Sequence, residues 1–200
     1  MSPTVIRYTS DMSRWEPDGR ARLEQAAMEL YLERGFEQTT VAEIANRAGL
    51  TERTFFRHFA DKREVLFGGA DALKQLLVGS VADAPDPVAP IEAIAKALEG
   101  AGALLQQRRE MALQRQSVID TNAMLQEREL IKLASLASAL ADALRKRGVD
   151  DPAASLTAEA GIAVFKIAFA RWINERDPAV LPEIIRKLFD DLKTVTAGGP

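Results

Sequence analysis

Apolar residues recur at intervals of three and four along most of this chain and nowhere alternate convincingly, a period that predicts helices and no strands. Leu23, Ala26, Ala27 and Leu30 fall at i, i+3, i+4 and i+7 and predict a first helix over about 20–34, capped by Asp18 and stopped by Gly35. Phe36 follows as a core plug. In 39–62, TTVAEIANRAGLTERTFFRHFADK, the pattern shortens to two brief helices. Thr40 and Glu43 form a capping-box pair, and Ile44, Ala45 and Ala48 give the first of these helices its apolar face. Gly49 stands where a helix ends and the chain needs a left-handed residue. Leu50 packs the corner, and Thr51 caps a second helix with Phe55 and Phe59 on its inner face. Arg53, Thr54, Arg57 and His58 are left to point outward. Two such helices, the second basic and hydroxyl-bearing, suit the major groove of DNA.

Farther on, Asp61 and Glu64 open a helix that Val65, Leu66, Leu73, Leu76 and Leu77 carry to about Val81, some 25–30 Å. The close prolines of ADAPDPVAP (82–90) break it, and Pro90 begins another helix to about Gln107, which Gly100 and Gly102 weaken. At least one short helix follows over 108–120, with Met111, Leu113 and Val118. A long one over about 122–147 has apolar positions Leu130, Leu133, Ala134, Ala137, Leu140, Ala141 and Leu144 and ends at Gly148. Asp151-Pro152 and Asp177-Pro178 are two copies of one start signal, an Asp cap before a first-turn proline. The first opens a segment with Leu156, Ala160, Ala163, Val164, Ile167 and Ala168. The second leads to Leu181, Ile184, Ile185, Leu188, Phe189 and Leu192, with Pro182 marking where the regular helix begins. The expected fold class is all-α with about nine helices. A flexible arm occupies 1–17, a helix-turn-helix domain 18–66, and a second helical domain 67–200.

Composition narrows the function. The 200 residues are 47% hydrophobic and 28% charged, ordinary for a globular protein, and no run approaches the roughly 18–20 apolar residues of a membrane span. No secretory signal is evident at the N-terminus. Cysteine is absent and His58 is the only histidine, which leaves no disulfide, thiol nucleophile, Cys-ligated zinc or multi-His metal site; no metal or cofactor is expected, and the cytoplasm is the expected compartment. Net charge is −3, yet 47–63 carries Arg47, Arg53, Arg57, Lys62 and Arg63 against Glu52 and Asp61. A local basic surface on an acidic protein favours DNA contact at one place only.

Across 20–66, and most closely in GFEQTTVAEIANRAGLTERTFFRHFADKREVL, the sequence resembles the TetR family of bacterial transcriptional regulators. The resemblance implies a homodimer on a palindromic operator, released by a small molecule bound in the C-terminal domain, most members being repressors. It also implies DNA-binding roles for Thr40, Thr51, Glu52, Arg53, Thr54, Phe56, Arg57, His58 and Lys62. Arg53 is the first candidate for base readout, since arginine can bond a guanine edge bidentately. Phe56 stands where the family usually has a phosphate-binding tyrosine and offers only apolar contact, which shifts phosphate contacts toward Arg57 and Lys62. Lys62 matches the family's phosphate-binding lysine. Thr40 and Thr51 are needed as caps with or without DNA, and Glu52 and His58 have ordinary surface roles open to them.

The regulatory half is less specific. Pocket candidates are Leu104, Leu105, Met111, Met124, Phe165, Phe169 and Trp172, each with a plain core role as the alternative. Arg108, Arg109, Arg115 and Arg171 are candidates to meet an anionic ligand. Likeness to actinobacterial members points to an acyl thioester as one effector class. The last two helices are the expected dimer interface, through Ala160, Val164, Ile167, Ile185, Leu188 and Phe189. Two alternatives stay open: a DNA-binding regulator whose second domain takes a protein partner or nothing, and an all-α enzyme.

Overall fold

The computed structural model describes residues 19–198. The arm expected over 1–17 and the Asp18 cap lie outside the described residues. Among the described residues the architecture is all helical, and the chain divides between Val65 and Leu66 into two compact units.

The first unit holds α1 (Gly19–Arg34), α2 (Val41–Arg47) and α3 (Glu52–His58). One stripe of α1 is buried, Leu23, Ala26, Ala27, Leu30 and Tyr31, and α1 packs on both α2 and α3. Ile44 of α2, Phe55 of α3 and Phe59 just past α3 complete the core. Asp61 accepts from the backbone N–H of Arg63 and Glu64, so its capping role is in place. The helix it was expected to start is not continuous. A single 3-10 turn, Glu64–Phe67, is followed by Gly68 and Gly69 before α4 (Ala70–Ala82) begins. Two successive glycines cost a helix about 1 kcal/mol each relative to alanine, enough to break it here. The 13 residues of α4 span only about 20 Å.

The second unit is a bundle of α4 with α5 (Pro90–Gln106), α6 (Arg109–Asp120), α7 (Ala123–Lys146), α8 (Ala153–Asn174) and α9 (Leu181–Thr196). α5 packs on α9, α4 and α8, while α7 packs on α8 and α4. Leu98, Leu140, Leu144, Trp172, Leu181 and Ile185 are among the fully enclosed side chains. α5 runs unbroken through Gly100 and Gly102. At Gly102 the reason is close approach: a Cβ would lie 2.9 Å from Ile185 Cδ1 of α9. Loss of intrinsic helix propensity is offset there by contact with another helix.

α8 starts directly after Asp151-Pro152 and α9 has Pro182 in its first turn, as expected, but neither aspartate is the helix cap. The Asp151 carboxylate is taken by Arg145, at 2.6 and 2.9 Å, and by Ser155, and α8 starts without a side-chain cap. α9 begins at Leu181, and its first amide donates to Gln106 Oε1 of α5 at 2.9 Å. A side chain distant in sequence has replaced the local cap. Two stretches, Glu64–Ala82 and Ala153–Asn174, are long and apolar enough by composition to cross a membrane, contrary to the expectation that no run approaches that length. The first is interrupted by the glycine pair, and the second is the core helix α8.

Candidate nucleic-acid interface

The turn between α2 and α3 is built by local hydrogen bonds. Thr40 Oγ1 accepts from Glu43 N at 3.3 Å, and Thr40 N donates to Glu43 Oε2 at 2.9 Å, completing the capping box. These bonds, and Arg34 beside them, hold the Glu43 carboxyl below the usual carboxylate range. At the far end of α2, Leu50 N returns to Ala45 O at 2.8 Å and Gly49 N to Asn46 O at 2.9 Å. Gly49 has φ +67, and Arg22 Nη2 would sit 2.7 Å from any Cβ placed there. That guanidinium donates to Ala48 O, so α1 closes the helix C-terminus where a side chain would otherwise intrude. Thr51 Oγ1 then accepts from Thr54 N at 3.2 Å and fixes the start of α3.

With its start fixed, α3 has one buried side and one free side. Phe55 is wholly enclosed and stacks on Phe59 at 5.5 Å. Glu52, Arg53, Phe56 and Arg57 are exposed, Thr54 and His58 half-buried. Among the described residues Arg53 and Arg57 make no ion pair or hydrogen bond through their side chains. The Thr54 hydroxyl shares a 3.0 Å bond with that of Thr51, and Thr40 Oγ1 is bonded to Glu43, so these hydroxyls are engaged locally.

The wider basic set is smaller than composition implied. Arg47 is paired with Glu33 at 2.8 Å and Glu29 at 3.3 Å, and Arg63 with Asp61. The Arg63 guanidinium, with backbone N–H groups, holds the Asp61 carboxyl low. Lys62 is the larger departure. Its ammonium donates to Phe36 O and Thr39 O, each at 2.9 Å, and to Glu37 O at 3.3 Å, and lies 4.3 Å from the Phe36 ring centroid. All three donors of the ammonium have backbone partners, and the residue pins the α1–α2 loop. The Lys62 carbonyl in turn accepts from the buried Tyr31 hydroxyl at 2.6 Å, and burial, then the Asp61 charge, pushes that phenol well above its ordinary pKa. The role of Tyr31 escaped the sequence reading; its place on the buried stripe of α1 was the available signal.

In the second unit the seven pocket candidates do not converge. Met111 and Met124 are exposed, and Leu104 faces an open groove of about 490 Å³ with Leu76, Gly79, Ala97 and Gly100. Leu105 is half-buried. Phe165, Phe169 and Trp172 form a ladder along α8, with centroid spacings of 6.0 and 5.7 Å. The Trp172 Nε1–H is buried with no acceptor among the described residues. Three of the four expected anion-binding arginines have protein partners. Arg109 donates to the carbonyls of Trp172 and Glu175, Arg115 bonds Leu66 O at 2.7 Å and Glu129 at 3.0 Å, and Arg171 pairs with Glu175.

The expected dimer set also splits. Val164, Ile185 and Phe189 are buried within the chain's own core, and Leu188 is half-buried against it. Ala160 is half-exposed and Ile167 is 53% exposed. With Leu156 and Ala163 they form an outward apolar stripe at 156, 160, 163 and 167, on the side of α8 away from the buried one. Leu156 sets the near end of this stripe, and the four- and three-residue intervals are the signal for it.

Residues 24–67 match the model for bacterial regulatory proteins of the tetR family, and residues 88–197 match the MftR C-terminal domain. The HTH-type transcriptional regulator TcmR of Streptomyces glaucescens is 37% identical over 78 residues, 39% of this chain and 34% of that protein. The chain therefore matches about a third of the length of this curated relative. Among solved structures, FadR from Bacillus subtilis in complex with stearoyl-CoA is similar with a TM-score of 0.60 at 18% identity, over 86% of this chain and 96% of that one. Thermus thermophilus FadR, a TetR-family repressor in complex with lauroyl-CoA, is similar with a TM-score of 0.50 at 22% identity, over 88% and 93%. Both likenesses concern the fold.

Proposed function

The chain belongs to the TetR family of bacterial transcriptional regulators, and from this membership we propose that it is a ligand-responsive repressor binding a palindromic operator as a homodimer. The observation that carries the reading is the outer side of α3. Arg53 and Arg57, without side-chain partners among the described residues, stand beside exposed Phe56 on a helix whose start Thr51 fixes. Unpaired guanidiniums on a rigid short helix are ready to exchange water for phosphate and base edges at little ordering cost.

One such helix reads too few bases for specificity, which is why a second copy is part of the reading. The outward stripe Leu156, Ala160, Ala163 and Ile167 supports it, because small and apolar residues at helical spacing let a partner helix approach closely. Two heads about 34–36 Å apart, or a multiple of that, meet successive major-groove faces. The cytoplasm, where operator DNA lies, is the corresponding compartment.

The effector we assign is a long-chain acyl thioester. Two relatives of like fold hold stearoyl-CoA and lauroyl-CoA, and the Phe165, Phe169, Trp172 ladder is an apolar row inside the bundle whose one donor has no partner among the described residues. Adding stearoyl-CoA or lauroyl-CoA to the DNA complex should release the DNA in a fluorescence-anisotropy titration. Retention of the complex at saturating thioester removes this effector class and leaves the DNA reading standing.

The DNA reading is tested on duplexes flanking the gene. Arg53→Ala should cost about 1–3 kcal/mol and relax preference at a single operator position. Arg57→Ala should weaken all duplexes alike and lower the salt slope by about one. Uniform loss in both variants would remove Arg53 from base readout.

A further inference from the structure

Phe56 is the one large apolar side chain on the free side of α3, and it is 55% exposed. It does not fold back into the core: its ring meets Phe55 edge-on at 5.5 Å while Phe55 and Phe59 fill the interior. Arg53 lies three residues before it, on the same helical face, and Arg57 directly follows. A phenyl ring held outward beside two guanidiniums that have no partner among the described residues gains nothing from phosphate, having no donor. The major groove presents donors and acceptors on every base pair but a single apolar feature, the thymine C5-methyl.

We propose that Phe56 is a specificity-determining residue that reads a thymine methyl in the operator. The inference rests on the DNA-binding reading above and adds to it the identity of one base. Three residues of helix advance about 4.5 Å, which is one to two base-pair steps of 3.4 Å. The thymine therefore lies within about two base pairs of the guanine that Arg53 addresses, in each half-site.

The experiment uses the full chain and a duplex selected from a random-sequence pool for tight binding. Each thymine of the selected site is replaced in turn by uracil, which removes the methyl and leaves every hydrogen-bonding group in place. One replacement per half-site should weaken wild-type binding about fourfold, the worth of one buried methyl. Phe56→Ala should bind the thymine and uracil duplexes equally, and Phe56→Leu should keep part of the difference. Circular dichroism should be unchanged for both, since Phe56 lies outside the core. An equal uracil penalty in wild type and Phe56→Ala, or no penalty at any thymine, overturns the inference while the DNA reading stands. Failure to select any duplex overturns the DNA reading itself, and this inference with it.

Discussion

Ile167→Glu should yield a folded monomer that has lost operator affinity by a factor on the order of 10²–10⁴, the gain that joining two reading heads confers. Ile167 is half in solvent already, so a charge there costs the isolated chain little. Across a two-fold axis the same substitution sets carboxylates against an apolar stripe on the partner, and both must be desolvated. Sedimentation should show half the mass with helical content unchanged. Val164→Asp, one turn away and at the buried edge of the same helix, makes the contrast. Val164 is buried in the chain's own bundle, so an aspartate there should unfold the second unit, with a loss above about 3 kcal/mol. If Ile167→Glu remains a dimer with full affinity, the interface does not use this stripe.

That pair of residues also marks where sequence legibility stops. The helices were legible because their apolar period is strong: the α1 stripe, the Thr40–Glu43 box and the Gly49 turn follow from neighbours within four positions, and the structure has each of them. α8 is apolar on two sides, at 154, 158, 165, 168 and 172 and again at 156, 160, 163 and 167. Periodicity establishes that both stripes exist and contains nothing about which one the chain itself covers. The same limit explains the aspartates. An Asp-Pro pair is a sound local start signal, but Arg145, six residues before Asp151, takes that carboxylate, and Gln106, remote in sequence, accepts from the first amide of α9. Charge counting has the same limit. The basic segment 47–63 is real in composition, and Glu29, Glu33, Asp61 and three backbone carbonyls neutralise or engage all of it but Arg53 and Arg57.

Lys62 is where these two readings give opposite results in one experiment. As a phosphate ligand, Lys62→Met would lower the salt slope of DNA binding by about one and leave stability alone. The observed contacts favour the reverse. The ammonium holds Phe36 O, Glu37 O and Thr39 O, and Thr39 is the residue before the α2 N-cap. Methionine keeps the length and the contact with the Phe36 ring but none of the donors. Its removal takes the charged donor from all three carbonyls, Phe36 O keeping only the Thr39 amide at 3.2 Å, a loss of about 2–3 kcal/mol. For a unit this small that lowers the melting midpoint on the order of 10 °C. Below the transition, DNA affinity and salt slope should stay near wild type, because the residues that face outward are untouched. A reduced slope with an unchanged midpoint would return Lys62 to the phosphates. A lowered midpoint with an unchanged slope makes it the pin that holds the entry of α2, and through α2 the angle at which Arg53 and Phe56 are presented.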